Sequence, residues 1–189
     1  MRTAQAIAWK EIQVYFGNPM AYIVGVIFLA VSGFFFVMDL GHPFPEASLA
    51  NFYQGATIIL ILLAPSLTMR LLAEEQKLGT LELLLTAPVR DYEVVLGKFL
   101  ASFIILSGTV LLTLFYVLIL SIYSNPDLGP IFSGYVGFLL CGGATISIGL
   151  LASSLSGNQL VAAAVGFGVI LLFNVIDQIT TIVGGTVAK

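Results

Sequence analysis

The sequence predicts an all-α polytopic membrane protein, and three observations carry that prediction. Of 189 residues, 59% are hydrophobic and only 9% charged, with a mean hydropathy of +1.06. A soluble domain runs nearer a quarter charged, because water must wet its surface. Long apolar stretches of bilayer length recur along the chain. The charges are gathered: nine of the 17 fall between Arg70 and Lys98, a segment too polar for hydrocarbon. The formal charge of −3 and the lack of a Lys/Arg cluster argue against nucleic acid as a partner. The single cysteine, Cys141, excludes an intrachain disulfide.

Residues 1–18 read as an interfacial helix. Ala4, Ile7, Ala8, Ile12, Tyr15 and Phe16 share a broad face opposite Arg2, Lys10 and Gln13, with Trp9 at the border. Glu11 falls within the apolar arc, so either the helix is rotated or Glu11 meets a protein partner. Gly17-Asn18-Pro19 ends this helix, since Pro19 disfavours helical geometry at Asn18. The first apolar run follows Lys10-Glu11 and is not succeeded by a cleavage site and a polar mature domain, so it reads as a retained span.

Five spans are expected, at about 20–38, 52–69, 95–122, 131–155 and 160–176. Asp39 to Asn51, with two prolines and a glycine, reads as a loop, and its His42 as a solvated loop residue. Pro65 is expected to kink the second span or to mark where neighbouring helices satisfy a freed carbonyl. Ser124 to Pro130 and Ser156 to Gln159 read as short connections, and Asp177-Gln178 as the end of the fifth span. Small residues at helix-contact spacing (Thr145, Gly149 and Ser153; Ala162 with Gly166; Ala164 with Gly168) predict close packing of spans four and five.

Orientation follows from the basic residues. With the amino terminus cytoplasmic, Arg2, Lys10, Arg70, Lys77, Arg90 and Lys98 lie inside and only Lys189 outside. The charged segment 70–98 is then a cytoplasmic loop. Within it, Gly79 interrupts a charged helix extending from span two, and Thr80 is placed to cap a new one. That helix would set Leu81, Leu83, Leu84 and Leu85 beside Glu82, to be stopped by Pro88, with Asp91 capping the entry to span three. Leucines exposed on a short helix are suited to a groove on a partner. Leucines folded back on the membrane are the competing reading.

No span carries an ionisable residue near its centre, which disfavours an ion-coupled carrier. Convergent metal ligands are lacking. Gly97-Lys98 is followed by Phe99 and lacks the upstream glycine of a phosphate-binding loop, so this chain is expected to bind no ATP.

Glu74-Glu75-Gln-Lys77-Leu-Gly79-Thr80-Leu-Glu82-Leu-Leu-Leu-Thr-Ala-Pro88-Val, followed by Val94-Val-Leu-Gly97-Lys98, resembles the cytoplasmic loop of ABC-2-type permeases. These are the membrane subunits of ATP-driven ABC transporters. Lys10-Glu11 through Phe16, Asn18-Pro19 and Tyr22 is similar to the amino-terminal interfacial segment of that family. The nearest subgroup is that of bacterial gliding-motility-type permeases.

The resemblance implies a single ABC-2-type (type V exporter-like) transmembrane domain over 1–189, in a bacterial inner (plasma) membrane. Five of the family's six spans are present, which leads us to expect a chain truncated before the sixth. It further implies a coupling helix at about Gly79 to Ala87. The ATPase-coupling interface would comprise Glu74, Glu75, Gly79, Thr80, Leu81, Glu82, Leu83, Leu84, Leu85 and Pro88, and Lys10 and Glu11 would relay motion through the interfacial helix. Glu11, Glu75 and Glu82, with Arg70 or Arg90, are candidate polar latches. The implied partners are ABC ATPase subunits, which hold ATP and magnesium, a second permease copy or related permease, and the lipid bilayer. The resemblance implies no catalytic, cofactor or metal residue in this chain. A secondary carrier or channel, and a structural membrane anchor, are the alternative functions.

Overall fold

In the computed structural model the described residues are 2–40, 49–80, 90–123 and 126–187. Among them there is no strand, and five helical segments are long and apolar enough to cross a membrane. Helix α1 (Arg2–Gly17) is followed by a bend at Asn18 and by α2 (Pro19–Leu40). The backbone N–H of Asn18 donates to the Tyr15 carbonyl at 3.2 Å, closing the last turn before Pro19, which has no N–H to give. Helix α2 runs past Met38 into the stretch read as loop. Residues 41–48, His42 included, lie outside the described residues.

The second span divides. Helix α3 (Ala50–Thr68) keeps Pro65 in its last turn. After a turn at Met69–Leu72, the short α4 (Ala73–Lys77) carries Glu74 and Glu75 in its first turn and Lys77 in its last, a placement that complements the helix dipole. The charged helix therefore follows span two through a turn, and together they form one membrane-length segment, Phe52–Lys77. Ser153 holds that turn. Its hydroxyl accepts from the backbone N–H of Leu72 and of Ala73, each at 3.1 Å, and donates to the Met69 carbonyl at 3.0 Å. Backbone groups released at the end of α3 are thus satisfied from a neighbouring helix, which a dry environment requires.

Span three is also divided, into α5 (Asp91–Leu112) and α6 (Leu114–Tyr123). At the break the Thr113 hydroxyl turns back to the Val110 carbonyl at 2.6 Å, a side-chain bond that competes with the helical ladder. Asp91 does not cap α5. Arg90 is the N-cap, extended and without a side-chain bond, and Asp91 is the first helical residue. Helix α7 (Leu128–Ser154) begins earlier than expected because Asp127 caps it, accepting from Gly129 N–H at 3.1 Å. A proline in the first turn costs no intrahelical bond, so Pro130 fits inside the helix. Helix α8 (Gln159–Val187) runs on through Asp177-Gln178. No helix breaker stands there, and Gln178 donates to Asn174 one turn back at 3.2 Å.

Helix α3 is the hub, packed against α2, α7 and α8, while α1 lies along α5. Gly149 of α7 comes so close to Thr68 and the Ala64 carbonyl that no side chain fits, and Gly166 of α8 touches Ala152 and Pro65. The stripe of Gly149 and Ser153 packs on span two and the turn after it, whereas Gly166 meets both span four and Pro65 of span two. Ala164 is exposed and Gly168 meets no neighbour, so that pair makes no such contact.

Candidate functional site: a buried lysine between two glutamates

The ionisable groups converge on Lys98, one of the most buried side chains in the molecule at 1% exposure. Its position on the first turns of α5 directs it toward α1 and α4. The ammonium contacts Glu11 Oε1 at 2.9 Å, Glu75 Oε1 at 2.8 Å and the Leu71 carbonyl oxygen at 2.7 Å. All three ammonium donors are used, on two stretches remote from Lys98 in sequence, α1 and the segment formed by α4 and the turn leading into it. A buried cation without such partners would be strongly unfavourable. The glutamates are 13% and 21% exposed, so all three charges are shielded from solvent.

Close approach of α1 to α5 makes this geometry possible. Gly97 faces α1, where a Cβ would come within 2.9 Å of the Ala4 carbonyl and 2.8 Å of Ile7 Cγ2. Ala4, Ala8 and Tyr15 are buried. The Tyr15 hydroxyl donates to the Leu67 carbonyl and lies 3.2 Å from Ser102 Oγ. Burial pushes the Tyr15 phenol up to about 12, so it remains a donor across the physiological range. The amphipathic face of α1 therefore packs on protein along Ala4, Ala8 and Tyr15, while Phe16 and Trp9 (63% exposed) face outward. Glu11 sits in the apolar arc because its partner is inside the chain.

Among the described residues Arg70 shares the cavity with Glu11 and Glu75 but forms no ion pair with either. Its guanidinium lies over the Tyr15 ring at 4.6 Å. Arg90 is exposed, stacks on Tyr92 at 5.9 Å and donates to its hydroxyl at 2.9 Å. Those contacts raise the Arg90 pKa. Around Lys98 lies a cavity of about 520 Å³, walled by Lys10, Glu11, Arg70, Glu74, Glu75 and Lys98, with Val14, Leu71, Leu78 and Thr80 completing it. Two buried polar atoms here have no hydrogen-bond partner: Arg70 Nη2 and Glu75 Oε2.

Of the expected site residues, Lys10, Glu11, Glu74, Glu75 and Thr80 come together around this cavity. Gly79 has φ +69°, the left-handed conformation that glycine supplies at a helix end. Thr80 hydrogen-bonds back to the Glu75 carbonyl at 3.4 Å, and the helix it is expected to cap lies outside the described residues. Leu81, Glu82, Leu83, Leu84, Leu85 and Pro88 lie outside the described residues. Lys98 was overlooked as a site residue; a lone lysine inside the apolar run Val94 to Leu106 was the available signal.

Five candidate membrane-spanning helices with one buried ionic cluster at the charged end define a polytopic membrane protein. The model of the ABC-2 family transporter proteins matches residues 5–188, and the chain belongs to that family. It is a multi-pass membrane protein of the ABC-transporter permease class, a class in which an ABC ATPase is a separate subunit. No curated protein matches it.

Proposed function

We propose that this chain is the permease subunit of an ATP-driven exporter, akin to the gliding-motility-type permeases, that couples ATP hydrolysis in a partner to substrate movement. The reading places it in a bacterial inner membrane with the amino terminus cytoplasmic, which puts six of the seven basic residues on the inner side. Two ATPase subunits would bind ATP and magnesium below a pair of permeases, identical or related. The coupling surface would run from Glu74 and Glu75 through Gly79 and Thr80 to Leu81, Glu82, Leu83, Leu84, Leu85 and Pro88.

One observation carries this reading: Lys98 ties Glu11 of α1 and Glu75 of α4 to the root of α5. Glu75 precedes the Gly79 turn by one helical turn, so a push on the segment after Gly79 reaches a charge pinned to both α1 and span three. Breaking such a pair by displacement is costly inside a dry site, which favours α1, α4 and α5 moving together. Lys98 is then the centre of the relay, with Glu11 and Glu75 as its arms, and Lys10 as the neighbouring charge on the interfacial helix.

Co-purification tests the assignment. The tagged permease brings down an ABC ATPase, and replacing Leu83 and Leu84 by aspartate reduces recovery of that subunit at least tenfold. Undiminished recovery would overturn the coupling surface. Nucleotide-independent, ion-driven transport in liposomes would instead identify a secondary carrier.

A further inference from the structure

The cavity beside Lys98 has a charge balance that ion pairing within the chain does not exhaust. Its walls carry three cations (Lys10, Arg70, Lys98) and three anions (Glu11, Glu74, Glu75). A simple anion meets as much repulsion as attraction there, and so does a simple cation. The unused atoms are one of each kind. Glu75 commits Oε1 to Lys98 and leaves Oε2 without a donor, while Arg70 sits over the Tyr15 ring and leaves Nη2 without an acceptor. Buried polar atoms are normally paired, and two complementary orphans on residues that line one cavity point to a ligand with both a donor and an anionic acceptor, admitted by a small turn of the Arg70 and Glu75 side chains.

We propose that this cavity holds the head group of a lipid that joins a primary ammonium to a phosphate. Its phosphate accepts from Arg70 and Lys10, and its ammonium donates to Glu75 and Glu74. Charge-assisted bonds of this kind are the strong ones. A quaternary ammonium cannot donate, and a purely anionic head group leaves the carboxylates opposed. The bilayer is the favoured source because of what surrounds the cavity. Val14 lines it, and Val14, Trp9 and Phe16 expose apolar surface on α1, which joins a span through a single bend. An exposed tryptophan on such a helix suits head-group depth.

The test is lipid retention by the purified full-length chain, read by native mass spectrometry from micelles holding equal amounts of phosphatidylethanolamine, phosphatidylcholine and phosphatidylglycerol. Phosphatidylethanolamine is retained about tenfold better than either other lipid, the margin of a single strong polar contact. Arg70→Gln and Glu75→Gln each abolish that preference, whereas Arg90→Gln, altering an exposed arginine away from the cavity, keeps it. Should Arg70→Gln fail to fold, Lys10→Gln carries the same test, because Lys10 is exposed, and lowers the preference about threefold. Equal retention of the three lipids, or a preference that survives the variants, would overturn the proposal. Displacement by free phosphoethanolamine at the concentration of the lipid itself would assign the cavity to a soluble zwitterion and overturn the membrane source. Because the readout is lipid binding, it succeeds or fails independently of any ATPase partner.

Discussion

The two ends of the helical bundle solve the burial of polar groups in opposite ways. At one end, tyrosines do it without charge. Tyr53 donates to the Ile131 carbonyl at 2.8 Å, Tyr116 to the Leu29 carbonyl at 3.0 Å, and Tyr135 meets Thr113 at 3.0 Å. Their rings pack with Phe36 and Phe52, including a stacked Phe36–Tyr116 pair at 4.9 Å. Each hydroxyl has a partner, and each ring adds apolar burial. At the other end Lys98 and two glutamates are held in a polar cavity, with a guanidinium nitrogen and a carboxylate oxygen unpaired. The neutral end gains cohesion from area and satisfied hydrogen bonds. The charged end depends above all on its one cation, because loss of Lys98 leaves two glutamates buried without compensation, while loss of either glutamate leaves an ammonium donor unpaired. Such an arrangement resists small displacements and changes markedly once broken, whereas the tyrosine end yields gradually.

That contrast can be broken most directly at Lys98. Lys98→Met leaves Glu11 and Glu75 facing each other without a cation and is expected to cost about 3–5 kcal/mol, seen as a lowered Tm in detergent and early proteolysis between α1 and α2. A variant with unchanged Tm would mean that the ion cluster does not hold α1 in place. Next in size is Ser153→Ala, which strands the N–H groups of Leu72 and Ala73 and the Met69 carbonyl. A loss of about 3 kcal/mol is expected, with faster amide exchange localised to 69–74. The smallest effect belongs to the neutral end. Tyr116→Phe keeps the ring and loses one hydrogen bond, for about 1 kcal/mol. If Tyr116→Phe cost as much as Lys98→Met, the distinction between the two ends would collapse.

The fold was legible to the extent that hydrophobicity encodes it. Apolar length and the Gly17-Asn18-Pro19 break located the helices and the bend after α1, and the small residues at 149 and 153 marked real contacts with α3 and the turn that follows it. The misses share a physical origin in tertiary satisfaction. Span two is interrupted before its charges, where Ser153, 80 residues or more away, receives its backbone groups. Span three is interrupted at Thr113, whose hydroxyl bonds Val110 one turn back and also meets Tyr135 of a neighbouring helix at 3.0 Å, a partner that local sequence does not show. At the site, Glu11 stood out because it interrupted an apolar face. Its partner did not, since Lys98 reads as an ordinary snorkelling residue at a helix entrance until three elements are assembled around it.

The Ser153 hydroxyl has a consequence for how far any rearrangement spreads. It grips the backbone at Met69, Leu72 and Ala73, leaving no slack between the root of α4 and the last turn of α7. Sliding one past the other would rupture three bonds together, so a tilt of α4 drags α7 with it. Displacement beginning in the second span is thereby shared with the fourth, a pair that sequence order alone would never have yoked.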